Sequence, residues 1–293
     1  MKTWILAACA VLVAAPATAG DLYRPKMEQI WSVEGLQEPE SVVYEPREKV
    51  LYVSNMNGDA TAKDGNGYIS KLSTDGRILS KAWVTGLNAP KGLAVVHRRL
   101  FVADIDELVE ITFSNGEKKI YPAPGAKFLN DVTSDLLGRV YVSDMLDDAI
   151  YRASGGKFAL WLKDPRLASP NGLWAEKDRL IIGSWGVMTD GFKTAVPGHL
   201  LQTPYGRRKL TNLGDGRPVG NIDGVVPDGR GNYFVTDWMS GDLYLVSPTG
   251  ESLFVRHLGE GAADLCYLEK EGVMIVPIMK EGRLVAYTVD WPP

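Results

Sequence analysis

Three features of this sequence predict an all-β chain folded as a six-bladed β-propeller with four-stranded blades. Runs rich in β-branched and aromatic residues recur about every 40 residues, a period typical of propellers. A second strand-like run follows each of them, usually closed by a glycine turn. No sustained period of 3.6 residues separates the runs, which argues against alternating helices. The six runs are VLYVSN (50–55), LFVAD (100–104), VYVSD (140–144), LIIGS (180–184), YFVTD (233–237) and MIVPI (274–278).

The two ends of the chain are predicted to share the sixth blade. The last repeat stops at LVAYTVDWPP without an outer strand, and an unpaired strand of that type, EQIWSVEG (28–35), lies near the N-terminus. Pairing these two segments closes the ring and removes an exposed sheet edge. We therefore expect a single propeller domain over residues 20–293.

The first 19 residues have the layout of a secretory signal peptide. Lys2 precedes an apolar run from Trp4 to Ala15, and Ala17-Thr18-Ala19 has the small residues of a cleavage site. This run is too short to span a membrane, and no later run is long enough to do so. The sequence thus predicts that residues 1–19 are removed and that the protein is exported, either periplasmic or secreted.

Composition narrows the class of partner. A net charge of −4 without a basic cluster argues against nucleic acid. Once the signal peptide is removed, Cys266 is the single remaining cysteine, so neither a disulfide nor a cysteine-based zinc site is expected. The expected protein is a monomer that binds a small molecule.

One position recurs just before the innermost strand of each repeat. The innermost strands of a propeller line its central channel, so we expect these six side chains, here called the ring, to meet at one mouth of the channel. Buried charges are costly unless they are paired or bind a cation. The alternative interpretation is a tight turn, which suits Asn171 and Asp223 but not Glu40 or Lys91. The ring residues are Glu40, Lys91, Asn130, Asn171, Asp223 and Asp264.

The oxygen-rich ring predicts a hard divalent cation. Carboxylate and amide oxygens suit Ca²⁺ first and Mg²⁺ or Mn²⁺ less well, with Zn²⁺ as a further alternative. The three histidines, His97, His199 and His257, all fall outside the ring, which argues against a site built from imidazole ligands.

Four segments in the matching repeats resemble the gluconolactonase, senescence-marker-protein and luciferin-regenerating-enzyme family of six-bladed propellers. The family's Glu-Gly-Pro-x-Trp motif corresponds to residues 40–44 (ESVVY), and its Ser-Asn-Gly-Leu motif corresponds to residues 170–173 (PNGL). Its Phe-Asn-Asp segment looks like residues 128–131 (FLND), and its Pro-Asp-Gly segment looks like residues 222–224 (IDG). Ser and Val in place of Gly-Pro, and a Leu inserted in Phe-Asn, depart from the family pattern. The resemblance covers the whole predicted propeller.

This resemblance implies a set of residue roles. Glu40, Asn171 and Asp223 would hold the metal, and Asn130 would contact the metal or the substrate. Asp223 is the expected base that activates water for attack on a lactone or ester carbonyl, which the cation would polarise. Independently of the resemblance, Lys91, through its positive charge, and Asp264, through its place in the ring, are expected to contact substrate. Lys91 has an alternative role, an ion pair with Glu40 that makes the metal unnecessary.

Two loops are predicted to cover the channel mouth. The intervals between ring residues are longest after Glu40 and after Asn171, and the extra residues lie in 55–67 and 184–198. The first and fourth blades of a six-membered ring are opposite each other, so the two loops face each other. Trp185 is the expected substrate contact, with Met188 and Phe192 as further candidates and packing onto the rim as the alternative.

The sequence leaves two functions open. The first is an exported divalent-metal-dependent hydrolase of a lactone- or ester-like small molecule. The second is a non-catalytic propeller of the NHL type that binds a ligand or a protein, which Lys91 in the ring favours. A quinone-linked sugar dehydrogenase ranks last because no ring histidine is present to act as a base. The fold alone does not choose between these functions.

Overall fold

The structure is a computed structural model that describes residues 22–292, and it forms the six-bladed propeller that the repeats predict. Six four-stranded antiparallel sheets surround a central channel, and a short two-stranded hairpin is the only other sheet in the described residues. The predicted signal peptide, residues 1–19, lies outside this range. From residue 22 to residue 292, no helix has the length and apolar character needed to cross a membrane.

The strands of the first three blades run outward from the channel in chain order, after one strand that belongs to the last blade. β1 (Gln29–Val33) is the outer strand of blade six. Blade one contains β2 (Pro39–Glu45), β3 (Val50–Asn55), β4 (Gly67–Ser73) and β5 (Ile78–Leu87); blade two contains β6 (Pro90–Val96), β7 (Arg99–Asp104), β8 (Glu107–Thr112) and β9 (Lys118–Pro122); blade three contains β10 (Leu129–Ser134), β11 (Val140–Asp144), β12 (Ala149–Ser154) and β13 (Lys157–Lys163).

The remaining blades follow the same order, with an inserted hairpin in blade four. Single 3₁₀ turns at Pro165–Leu167 and Met279–Glu281 are the helical segments of the described chain. Blade four contains β14 (Pro170–Ala175), β15 (Arg179–Ser184), the hairpin strands β16 (Met188–Asp190) and β17 (Lys193–Thr194), β18 (Leu200–Pro204) and β19 (Thr211–Asn212); blade five contains β20 (Ile222–Pro227), β21 (Tyr233–Asp237), β22 (Asp242–Val246) and β23 (Ser252–His257); blade six contains β24 (Cys266–Leu268), β25 (Val273–Ile278) and β26 (Arg283–Thr288).

The ring is closed as predicted, by pairing the two ends of the chain. β1 runs antiparallel to β26, with Ser32 opposite Val285. The Leu36 N–H donates to the Gly282 carbonyl at 3.0 Å just beyond this pairing. Blade six is therefore built from both ends of the chain, and the outer edge of β26 is covered.

The core consists of six layers, one between each pair of neighbouring blades. Successive side chains of a strand point to opposite faces of its sheet. A strand whose blade is packed between two neighbouring blades is therefore apolar on both faces. In β3, Val50 and Tyr52 pack against blade two, whereas Leu51 and Val53 pack against blade six. This explains why the predicted runs are continuously apolar rather than alternating.

Candidate functional site

A β-bulge presents the ring side chain in each of the first five blades. In blade three, Asn130 and Asp131 together stand opposite the single residue Ser143. The Ser143 hydroxyl accepts the Asp131 N–H at 2.9 Å, which satisfies a backbone group that the bulge leaves outside the ladder. Bulges re-aim side chains, so this geometry, rather than a tight turn, turns the ring residues inward. Equivalent shifts lie within residues 39–42, 90–93, 170–173 and 222–225.

Gly172 allows blades four and five to approach closely next to the ring. It lies within β14, and a Cβ at this position would be 2.2 Å from the Asp223 carbonyl oxygen and 2.9 Å from Val225 Cγ2. The close approach brings two ring side chains together, because Asn171 Nδ2 donates to Asp223 Oδ2 at 3.1 Å. The glycine after Asn171 is thus required for packing between blades and not for a turn.

Replacing Gly172 by alanine is expected to destabilise the protein by about 2–3 kcal/mol, because the added methyl group meets backbone that cannot move independently. The measurement is chemical denaturation followed by intrinsic fluorescence. Gly206→Ala is the matched control, since no atom beyond its chain neighbours lies within 4 Å of the place that its methyl group would take, and its expected effect is close to zero. Equal stability of the two variants would contradict the packing role of Gly172.

The residue that ends the second strand of a blade holds the loop that leads to the ring residue. The Asp144 carboxylate accepts the N–H groups of Lys127 and Phe128, both at 2.9 Å. Asp104 accepts two N–H groups of the loop before Lys91 in the same way. These contacts account for the polar residue at the end of several predicted runs.

Five of the six ring residues line one pocket, with a volume of about 130 Å³. Each is no more than 5% exposed, and we call them the floor of the pocket. The other lining residues are called the wall. The floor consists of Glu40, Lys91, Asn130, Asn171 and Asp223.

Asp264 does not line this pocket, so the expectation that all six residues line one mouth is wrong for this residue, although its carboxylate lies close enough to raise the pKa of Glu40. Its carboxylate accepts the Ser41 hydroxyl at 2.7 Å, and it lines a second cavity of about 490 Å³ formed further along the innermost strands. The innermost strand of blade six, β24, is short and begins only at Cys266. Asp264 therefore precedes the strand and bridges to blade one through Ser41 instead of bulging into the pocket.

Three oxygens of the floor have no hydrogen-bond partner although they are buried: Glu40 Oε2, Asn130 Oδ1 and Asp223 Oδ1. Buried acceptors without a partner are uncommon and call for an explanation. Two carboxylates and an amide oxygen are the donor set that a hard cation such as Ca²⁺ prefers, so the residues fit a divalent ion. Across residues 22–292, no group of three or more His, Cys, Asp or Glu side chains is arranged to hold a metal. An ion on this floor would thus depend on the amide oxygens as well.

The floor carboxylates are in an environment that disfavours their charge. Burial raises the pKa of Glu40 well above its usual value, and the nearby carboxylates of Asp223 and Asp264 raise it further. Burial likewise raises the pKa of Asp223, although the hydrogen bond from Asn171 opposes this effect. A bound cation would act in the opposite direction on both groups.

Lys91 does not form the alternative ion pair with Glu40. Its Nζ donates to the carbonyl oxygens of Ala60 at 2.9 Å and Ala89 at 3.0 Å, and it lies 4.4 Å from the centre of the Phe128 ring. The ion pairs of the described residues do not include Lys91. Burial lowers the pKa of this amine to about 8. Glu40 is therefore left without a cationic side-chain partner.

Both long loops reach the pocket from opposite blades. Ala60 of the blade-one loop lines it, as do Trp185 and Phe192 of the blade-four loop, which carries the β16–β17 hairpin. Trp185 is 3% exposed, and its Nε1 donates to the Phe192 carbonyl at 2.8 Å. Met188 packs against the buried cluster of Phe128, Met145 and Trp185 without lining the pocket. The substrate contact of Trp185 stays a prediction.

A second set of aligned side chains, of which the sequence-based prediction named only Trp185, forms most of the wall. The residue directly after the second strand of each blade is large and apolar. The repeat alignment shows this signal at the position that follows each of the six predicted runs. Five of these six residues line the pocket, and Ile105 packs beside it. The set is Met56, Ile105, Met145, Trp185, Trp238 and Met279.

Comparison with known proteins identifies the architecture. No protein-family model matches this chain, and no curated protein matches it. A structural-genomics protein provisionally described as a gluconolactonase is 18% identical over 95% of each chain, with a TM-score of 0.65. A gluconolactonase from Xanthomonas campestris is 14% identical, over 97% of this chain and 100% of its own, with a TM-score of 0.65. This is the propeller fold of solved gluconolactonases.

The same fold also occurs in proteins with another chemistry. The virginiamycin B lyase of Staphylococcus aureus, solved as a catalytically inactive histidine-to-alanine variant with quinupristin, is 12% identical. The match covers 90% of this chain and 100% of the lyase, with a TM-score of 0.60. Similarity at these identities establishes the gluconolactonase-like fold alone, so the function must be argued from the site.

Proposed function

We propose that this chain is a divalent-metal-dependent hydrolase of a lactone- or ester-like small molecule, with Ca²⁺ as the first candidate and Mg²⁺, Mn²⁺ or Zn²⁺ as alternatives. The observation that supports this proposal is the group of three buried, partnerless oxygens on the pocket floor, which belong to Glu40, Asn130 and Asp223. The ion would be held by these side chains together with Asn171. Its chemical contribution would be to polarise the carbonyl of the substrate as a Lewis acid.

Asp223 is the proposed base. Asn171 holds one carboxylate oxygen of Asp223 by a hydrogen bond, while the other oxygen has no partner in the protein. Because a carboxylate oxygen has more than one lone pair, this oxygen can both face the ion and accept a proton from a water molecule that attacks the substrate carbonyl. The role of Asn171 is then to orient the carboxylate.

Lys91 and Asn130 are proposed to position the substrate. The Asn130 amide nitrogen donates only a long contact, 3.8 Å, to the sulfur of Met145, so it retains the capacity to donate to a ligand. The Lys91 ammonium uses two of its three protons on backbone carbonyls. Both groups are therefore available to stabilise negative charge on the reacting oxygen.

A lyase of the virginiamycin B type fits this pocket less well. Replacing one histidine by alanine makes that lyase catalytically inactive. No histidine among residues 22–292 lines the pocket of this protein. A non-catalytic binding propeller is the second candidate. It is favoured by the arrangement of the floor, in which fewer than three acidic or histidine side chains come together in a metal-binding group among the described residues.

The test combines metal analysis with activity. The purified protein should contain about one equivalent of bound divalent ion by elemental analysis, and should hydrolyse members of a lactone and ester panel. Treatment with EDTA should remove the bound ion and abolish hydrolysis, and added Ca²⁺ should restore hydrolysis. If none of Ca²⁺, Mg²⁺, Mn²⁺ and Zn²⁺ at millimolar concentration binds by calorimetry or supports hydrolysis, the hydrolase is excluded and the binding propeller takes its place.

We also propose that the protein is exported after removal of residues 1–19, on the strength of the sequence pattern of that segment. N-terminal sequencing of the protein recovered from the periplasm or medium should start at Gly20. A product that retains residues 1–19 would contradict the proposal.

A further inference from the structure

The pocket divides its polar and apolar groups between floor and wall. All hydrogen-bonding side chains except two tryptophans lie on the floor. The wall is formed by three methionines, two tryptophans, two phenylalanines and one alanine. A ligand whose carbonyl group reaches the floor would therefore place the rest of its structure against apolar side chains.

The wall offers few partners to a hydroxylated ligand. The Trp185 indole N–H is already donated to the Phe192 carbonyl. A hydroxyl that is buried without a partner lowers affinity by about tenfold or more. A sugar lactone carries several hydroxyls, so this cost would recur around its ring.

The size of the pocket limits the apolar group that it can take. Its volume is about 130 Å³. An apolar cavity of about 150 Å³ in another protein, an engineered lysozyme, binds benzene. The whole pocket, floor included, thus matches a single ring, such as the lactone ring itself, and a substituent on that ring would extend along the apolar wall towards the exposed Phe192. Methionine side chains adapt their shape easily, so Met56, Met145 and Met279 favour tolerance of different apolar shapes.

We infer that the substrate is a small lactone or ester whose ring or substituent presents an apolar surface to the wall, and not a polyhydroxylated sugar lactone. This inference rests on the proposed hydrolase function and adds its substrate class. It departs from the activity named for the gluconolactonases that share the fold, because the apolar residues that follow the second strands border the pocket.

The experiment compares six-membered lactones that differ only in their substituents. With the Ca²⁺-loaded protein, kcat/KM should rise at least tenfold from δ-valerolactone to its 5-propyl or 5-phenyl derivative, since each buried methylene contributes about fourfold. Glucono-δ-lactone should be at least 100-fold poorer than the 5-propyl compound. Equal or better hydrolysis of glucono-δ-lactone would overturn the inference while leaving the hydrolase intact.

A binding measurement separates this inference from the proposed function. The corresponding lactams, which hydrolyse far more slowly than lactones, should bind in the same order when followed by calorimetry or tryptophan fluorescence. If no lactone or ester is hydrolysed, the hydrolase proposal fails and lactam binding alone decides the inference. Tighter binding of the 5-propyl lactam by at least tenfold over the gluconic lactam supports an apolar ligand, and the reverse order overturns it.

A pair of phenylalanine variants tests whether the wall is responsible. Phe192 lines the pocket and is 43% exposed, whereas Phe254 is 40% exposed on the outer strand β23 of blade five. Phe192→Ala should lower the preference for the 5-propyl over the unsubstituted compound at least threefold, and Phe254→Ala should leave it unchanged. An unchanged preference in Phe192→Ala, or the same loss in both variants, would contradict the role of the wall.

Discussion

Replacing Asp223 by asparagine is expected to abolish the response to Ca²⁺ and to lower hydrolysis by a factor of about 10³ or more. Asparagine keeps the shape of the side chain but removes one of two floor carboxylates and the proposed base, whose loss alone typically costs about 10²–10⁴ in rate. Ca²⁺ affinity should fall by at least 100-fold in calorimetry. Activity is measured on the lactones that the wild-type protein hydrolyses.

The stability of this variant distinguishes a ligand from a structural residue. Burial raises the pKa of Asp223, so its charge is unfavourable in the metal-free pocket. Asp223→Asn should therefore melt at the same temperature as the EDTA-treated wild type, or at a higher one. A variant that binds Ca²⁺ normally would show that Asp223 is not a ligand.

The matched control is Asp228→Asn, the same change just beyond the other end of the same strand, which ends at Pro227. Asp228 is 1% exposed and accepts the N–H groups of Arg230 at 2.7 Å and Asn232 at 2.9 Å. Its replacement should destabilise the fold by about 1–2 kcal/mol while the Ca²⁺ response is retained. Loss of the Ca²⁺ response in both variants would point to a general effect on blade five.

A chain that begins after Gly35 is expected to lose most of its stability, because it lacks the strand that closes the ring. Met27 and Val33 are buried in the layers beside blade six, and full burial of such side chains contributes about 1.5–3 kcal/mol each. The loss is large against a total stability of about 5–15 kcal/mol. The truncated chain should melt at least 15 °C lower and aggregate through the exposed edge of β26, as measured by circular dichroism and light scattering.

A peptide added in trans serves as the control for this truncation. A synthetic segment of residues 26–36 should restore part of the lost stability by pairing with β26, whereas a scrambled peptide should not. If the truncated chain melts like the intact protein, closure by β1 contributes little, and the sixth blade would be stable with three strands.

Much of the site followed from the repeat, because the relevant signals are local. The same short pattern occurs before each innermost strand, and five of the residues it aligned, from Glu40 to Asp223, line one pocket. The exception is instructive. Asp264 carries the same chemistry, but its position depends on where β24 begins relative to blade one, and nothing in the local pattern reports that offset.

The sequence by itself determined the fold class, the number of blades and the closure of the ring. Strand periodicity, glycine turns and the unpaired segment at residues 28–35 are all properties of short stretches of chain. Only the tertiary structure decided that Lys91 bonds to backbone carbonyls instead of Glu40, and that three floor oxygens are left without partners. These features depend on distances between different blades, which lie far apart in the sequence, so they are set by how the blades pack around the channel.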